Sequence, residues 1–323
     1  MSEKEMLTMN QSNRNIPGIH HVTAIAGDPQ ANVDFYTRVL GLRLVKLTVN
    51  FDEPGTYHLY FGDGTGQPGT ILTFFPWPGG RRGRRGNGQV AVTSFSIPQD
   101  AIGYWQERLQ RHGVTMGQLQ NRFDEEVLPF LDPDRMQIEL VAHEGAERYA
   151  PWEDGLVPTE AAIRGFHGVT LWEKDLGPSA ALLTDILGFR SAGEQNRRYR
   201  FEANAGEPGS VVDVIHLHQG ETGWGGTGTV HHVAWRTADD EQQQAWRQEI
   251  ADHGFRVTPV MDRQYFRSIY FREPGGVLFE IATDPPGFTR DEVPAKLGTQ
   301  LKLPPWLEPQ RDQIEQSLPK LDF

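Results

Sequence analysis

Gly18-Ile19-His20-His21-Val22-Thr23 and Thr229-Val230-His231-His232-Val233-Ala234 read as one strand written twice. Each carries adjacent histidines after a glycine- or threonine-led entry. A third copy, Gly165-Phe166-His167-Gly168-Val169-Thr170, keeps the first histidine and replaces the second by glycine. Paired histidines at equivalent points of an internal repeat suggest two modules facing one metal.

Working outward, a unit of about 60–80 residues recurs four times, the scale at which repeats define architecture. Each unit reads strand, helix, then several strands. After His20, a helix is predicted over 31–40, with Val33, Tyr36 and Leu40 at helical spacing and Gly41 ending it. Module two opens at Gln89 and has a helix near 102–111 ended by Gly113. Module three opens at His167, with a helix over 180–187 ended by Gly188. Module four opens at His231, with a helix over 242–252 ended by Gly254. Leu40-Gly41-Leu42 matches Leu187-Gly188-Phe189, and His112-Gly113-Val114 matches His253-Gly254-Phe255. The chain is therefore a duplicated pair of modules, an α+β arrangement. The expected domains are 16–148 and 163–286, followed by an extension over 287–323 that packs on the body.

The chain's 323 residues are 37% hydrophobic, which allows an ordinary core. No apolar run approaches the roughly 18 residues of a membrane span. Residues 1–15 are polar and lack a signal peptide's apolar stretch, so they read as a frayed leader of a cytoplasmic protein. A net charge of −12 argues against nucleic acid as a partner. The basic run from Arg81 to Arg85 reads as a solvated, mobile connector. With no cysteine, disulfides, thiolate metal sites and cysteine nucleophiles are excluded together. Imidazole and carboxylate must then hold any metal, which suits Fe(II), Mn(II), Zn(II) or Ni(II).

The closing strands supply the carboxylate. Pro274 to Glu280 overlays Pro133 to Glu139 without a gap, while the matching places in modules one and three hold Phe74 and Val214. Side chains alternate along a strand, so one histidine of each pair points into a shared cavity. If the second does, His21, His232 and Glu280 form a triad. If the first does, His20, His167 and His231 join Glu280, and modules three and four suffice. Two histidines and a carboxylate leave open positions where a substrate hydroxyl and dioxygen could bind side by side. Glu139 reads as a relic or structural carboxylate. His58, His143, His216 and His218 read as ordinary core or surface histidines.

At these residues the chain resembles the vicinal oxygen chelate superfamily of glyoxalases and extradiol dioxygenases, and within it the hydroquinone-type ring-cleaving dioxygenases. The matching stretches include Gly18 to Thr23, Tyr57-His58-Leu59-Tyr60-Phe61, Pro68-Gly69-Thr70, Gly83-Arg84-Arg85-Gly86, Gly165-Phe166-His167, His231-His232 and Tyr270 through Glu280. The resemblance implies four βαβββ modules in two tandem domains, paired into cups around a metal. It implies His21, His232 and Glu280 as ligands, with His20, Thr23, His231, Arg263 and Tyr270 around them. It implies Fe(II) as cofactor, with Mn(II) or Zn(II) as other occupants, and a small aromatic diol and dioxygen as the molecules acted on. Alternation along a simple strand would put His20 and His231 on the face opposite their neighbours, so their roles require a bulge. The alternatives are a catechol enzyme using modules three and four, or a glyoxalase-like metal-dependent isomerase or lyase. Oligomeric state is left open, a homo-oligomer included.

Overall fold

The computed structural model describes residues 15–203 and 209–322; the leader read over 1–15 lies, Asn15 apart, outside them. Module one gives β1 (Ile19–Ala26), β2 (Arg43–Asn50), β3 (Glu53–Gly62) and β4 (Ile71–Pro76). Module two gives β5 (Gln89–Ile97), β6 (Gln120–Arg122), β7 (Glu125–Leu131) and β8 (Gln137–Ala142). From module three come β9 (Phe166–Glu173), β10 (Arg190–Gln195), β11 (Arg198–Glu202) and β12 (Val211–His216). Module four adds β13 (Thr229–Thr237), β14 (Met261–Asp262), β15 (Arg267–Arg272) and β16 (Leu278–Thr283). In every module a helix follows the first strand, which makes the fold α+β with four βαβββ units.

The strands form two eight-stranded mixed sheets, in the orders β14-β15-β16-β13-β1-β4-β3-β2 and β10-β11-β12-β9-β5-β8-β7-β6. Within a module the opening strand pairs in parallel with the closing strand and has its other edge free. An unpaired edge needs a partner, and here it is another opening strand. β1 pairs antiparallel with β13, and β5 with β9. Modules one and four thus share one sheet, and modules two and three share the other. Each duplicated half of the sequence contributes one module to each sheet.

One sequence expectation needs correction. The helix read over 31–40 is α-helical only over Pro29–Asp34 and widens into a π turn over Phe35–Val39 before Gly41, whose φ is +71°. Module three repeats this at Leu182–Ile186 and Gly188. Such one-turn widenings shift the phase of a helix face, and here Tyr36 and Leu40 are both buried.

The arginine run is solvent-exposed at Arg81, Arg82 and Arg85, as expected of a connector, but it is not unpaired. It pairs with the corresponding connector between modules three and four: Gly83 N donates to Thr227 O, and Arg84 and Trp224 exchange backbone bonds of 3.0 and 2.9 Å. The Arg84 guanidinium lies 3.9 Å from the Trp224 ring centre, and Arg85 lies 4.7 Å from that of Trp172. The two connectors are symmetry-related in the repeat and meet edge to edge, so the arginines stack instead of dispersing.

Residues beyond Pro286 return to module one. Leu301 bridges Leu47, Lys302 N donates to Leu47 O, and Tyr57 Oη donates to Pro319 O at 2.9 Å. Buried Lys46 bonds Asp291 at 2.6 Å and also Glu292.

Candidate metal centre

The pairing of β1 with β13 explains how adjacent histidines can act together. Ile19 pairs with Trp235 and His21 with Ala234, so His20 is an extra residue in β1. Thr23 pairs with His232 and Ala24 with Val230, so His231 is an extra residue in β13. Each first histidine is therefore a β-bulge, a device that re-aims a side chain. The bulges let each pair of rings meet: His20 Nδ1 lies 2.9 Å from His21 Nδ1, and His231 Nδ1 lies 2.8 Å from His232 Nδ1.

With those nitrogens engaged, the outer ones converge. His21 Nε2 and His232 Nε2 are 3.3 Å apart. Glu280 Oε2 lies 3.4 Å from the first and 2.9 Å from the second. β16 brings Glu280 there by pairing with β13 at Ala234. All three residues are buried, and Ser268 Oγ donates to the other carboxylate oxygen at 2.5 Å. Despite these short distances, Glu280 Oε2 completes no hydrogen bond. A buried carboxylate oxygen crowded by two imidazole nitrogens, with no proton placed between them, fits a cation. Among the described residues, this is the group of histidine and carboxylate atoms near enough to share an ion. Burial raises the Glu280 carboxyl, but the adjoining His21 and His232 outweigh it and leave the group well below the usual carboxylate range. Burial, then His21, drives the pKa of His20 far down, so His20 is neutral near pH 7.

The converged atoms face a cavity of about 260 Å³. Phe51, Phe75, Trp77, Phe266 and Leu278 supply its apolar wall, and Thr23, His231, Arg263 and Tyr270 also border it. Arg263 Nε donates to Tyr270 Oη at 3.3 Å and its Nη1 to Asp52 at 3.0 Å. Burial, then Glu280, raises the Tyr270 phenol above its ordinary pKa. His20 is not on the cavity wall; it packs edge-on against Phe266.

The register that uses first histidines is not assembled. His167 lies in the other sheet and bonds Glu125 at 2.8 Å. A Cβ at Gly168 would sit 2.1 Å from Val211 O, so no side chain fits at the position equivalent to His21. There Glu139 is clasped by Arg122 through bonds of 2.9 and 2.7 Å. Ion pairs fill the second cup where the first gathers two histidines and a glutamate.

His58, read as an ordinary core or surface histidine, does have both ring nitrogens satisfied, but it stands on the cavity wall. Its Nε2 is bonded to Thr73 Oγ1 and its Nδ1 to Tyr60 Oη, both at 2.8 Å. Tyr60, Phe266 and Asp52 also belong to this wall and were missed. Alternation does place His58 and Tyr60 on one face of a strand, but only the strand order brings that face to His21.

Residues 18–140 and 165–281 each match the family profile described as the Glyoxalase/Bleomycin resistance protein/Dioxygenase superfamily. The chain is 51% identical to the Bacillus subtilis protein MhqO, assigned as a ring-cleaving dioxygenase, over 93% of this chain and 95% of that one. It is 36% identical to the chlorohydroquinone/hydroquinone 1,2-dioxygenase of Sphingobium indicum, over 95% and 97%. A crystal structure of a dioxygenase-assigned Bacillus subtilis protein superposes with a TM-score of 0.92 at 49% identity, covering 96% of this chain and 98% of that one. Glyoxalase I of Zea mays, at 16% identity and a TM-score of 0.60 over 83% and 92%, shares the fold. With both halves matched by the profile, the chain belongs to the glyoxalase/bleomycin resistance protein/dioxygenase superfamily.

Proposed function

We propose that this chain is a ring-cleaving dioxygenase that opens a hydroquinone-type aromatic diol, using iron(II) held by His21, His232 and Glu280. The observation that carries this reading is the convergence of two imidazole nitrogens and one carboxylate oxygen beside an aromatic-walled cavity. Such a set leaves coordination positions open. Bound there, iron(II) supplies redox chemistry toward dioxygen and polarises an oxygen of the diol. The same donors accept Mn(II) or Zn(II). The substrate class rests on likeness to the Sphingobium indicum enzyme, whose name gives hydroquinones.

The surrounding side chains bind, orient and hold protons. Phe51, Phe75 and Phe266 offer flat apolar surfaces to an aromatic ring and keep water from it. Tyr270 accepts from Arg263 and keeps its own proton, which it donates to a diol oxygen. A ligand histidine using Nε2 carries its proton on Nδ1. His232 therefore donates to His231 Nδ1, and neutral His231 holds its proton at Nε2, as a donor toward the cavity. The same logic lets His21 donate to His20 Nδ1. His231 contacts substrate in this reading; His20 positions His21.

Reconstitution without oxygen, followed by iron(II), hydroquinone and dioxygen, tests the reading. Oxygen uptake and a ring-opened product are expected with hydroquinones in preference to catechols. Absence of uptake with either diol would sink it.

A further inference from the structure

A line of four polar side chains crosses the first sheet at right angles to its strands and ends beside the metal ligands. Tyr60 and His58 stand two apart on β3; Tyr60 pairs across with Thr73 of β4, and Thr73 with Thr23 of β1. Thr23 in turn pairs with His232 of β13. The contacts are Tyr60 Oη to His58 Nδ1 at 2.8 Å, His58 Nε2 to Thr73 Oγ1 at 2.8 Å, and Thr73 Oγ1 to Thr23 Oγ1 at 2.9 Å. All but His58 are at most 1% exposed. Burial, then the neighbouring His21, drives His58 far below its ordinary pKa, so it is neutral with one ring proton.

We propose that Tyr60 and His58 are positioning residues that set the direction of this chain, so that Thr23 turns a hydroxyl proton into the cavity toward an oxygen of the aromatic diol. The inference rests on the dioxygenase reading for its substrate, and on the contact geometry and the chemistry of the four groups for its direction. Four donors share three links, so one proton is left over at one end. A phenol donates better and accepts worse than an aliphatic hydroxyl, because its oxygen lone pair is partly delocalised into the ring. Tyr60 therefore gives its proton to His58 Nδ1, which puts the histidine proton on Nε2. That proton goes to Thr73, whose own proton goes to Thr23. Among the described residues no acceptor takes the Thr23 proton, and Thr23 borders the cavity. A substrate oxygen there satisfies a buried donor that is otherwise unpaired.

The second sheet shows the same rank put to another use. Arg200 pairs with Asp213, Asp213 with Thr170, and Thr170 with Val92. Arg198 and Arg200 bond Asp213, and Arg198 also donates to Thr170 Oγ1 at 2.9 Å. There the threonine faces a guanidinium, and the ligand-equivalent position is a valine. The neutral, directional version belongs to the cup that gathers the metal ligands.

Two measurements test the proposal. The ring-nitrogen NMR shifts of His58, read in zinc-loaded protein, report its tautomer without turnover. The Nε2–H form is expected in the wild type, with Nδ1–H gaining population in Tyr60→Phe. An Nδ1–H wild type would overturn the assigned direction. Anaerobic calorimetry with hydroquinone, on iron-loaded protein, reads the binding role. Thr73→Val should weaken binding about tenfold, the worth of one hydrogen bond, while Thr73→Ser should restore it. Equal affinity in Thr73→Val and the wild type would overturn the role of the chain in presenting Thr23. Failure of hydroquinone to bind the wild type would instead overturn the substrate reading, and the tautomer would still decide the direction of the chain.

Discussion

His20 Nδ1 sits 2.9 Å from His21 Nδ1, and a β-bulge at His20 makes that approach possible. His231 and His232 repeat the arrangement at 2.8 Å around the second bulge. In the proposed metal site each first histidine therefore sets the tautomer and ring angle of the second. Loss of such a partner typically costs about 10- to 100-fold in metal affinity. His20→Ala should fall in that range, measured by competition with a chromophoric chelator, while keeping the wild-type far-UV spectrum. Affinity unchanged from the wild type would show that His21 is held by its backbone and by Phe266 alone.

The second cup yields a stability prediction. Arg122 clasps Glu139, and both are largely buried. Removing one partner of a buried pair leaves an uncompensated charge and typically costs about 3–5 kcal/mol, whereas removing both often costs little. Arg122→Met should therefore destabilise the protein strongly in urea, and Arg122→Met with Glu139→Leu should recover most of the loss. If the double variant is no more stable than Arg122→Met, the pair is not the source of the cost.

These two cups show what could be read in advance. The four modules were legible because glycine-ended helices and opening strands recur at regular spacing. The joining of module one to module four was visible through a single clue, the histidine pair that His167-Gly168 fails to complete. The bulges were called for only by the roles that the resemblance implies for His20 and His231, because a bulge is a property of pairing between strands and appears in neither strand alone. The place of His58 on the cavity wall was hidden for the same reason. Its partner Thr73 lies on another strand, and only the register of β3 with β4 and β1 places both beside Thr23. The pairing of the arginine connector was hidden because its stacking partner, Trp224, lies far along the chain in the matching connector.

A carboxyl pair at the joint between the sheets sets a pH dependence. Glu173, at the end of β9, and Glu273, before β16, are both buried, and the charge of Glu273 acts on Glu173. Ser179 Oγ and Val277 N donate to Glu273, at 2.7 and 2.9 Å. Burial, then Glu273, pushes the Glu173 carboxyl up to about 9 from an ordinary 4.5. Below 4.5 the group is protonated in both folded and unfolded chains. Between 4.5 and 9 only the unfolded chain releases the proton, so stability from this group is lost as pH rises through that window. Glu173→Gln keeps the neutral form and should melt higher than the wild type, by a margin that grows from pH 5 to pH 9. A margin independent of pH would show that Glu173 does not titrate in this way.

The returning tail should matter to the cavity as well as to the fold. Lys46 is fully buried on β2, bonded to Asp291 and Glu292, with its ammonium 4.8 Å from the ring centre of Tyr265. Tyr265 Oη donates to the same Asp291 at 3.0 Å. Further along, Trp306 packs edge-on against Phe51 at 5.7 Å, and Phe51 is part of the cavity wall beside Asp52, the partner of Arg263. Lys46→Met would leave two acidic groups facing each other against an apolar ring, a cost of about 3–5 kcal/mol by the reasoning for broken buried pairs. The segment best placed to relieve that cost is the tail, which carries both acids and can lift away. Lys46→Met should therefore speed proteolysis within residues 287–322 and raise KM for hydroquinone severalfold, while bound metal stays at the wild-type level because the tail supplies none of His21, His232 and Glu280. Loss of metal in step with loss of the tail would mean instead that the tail supports the whole first sheet, and not its substrate wall alone.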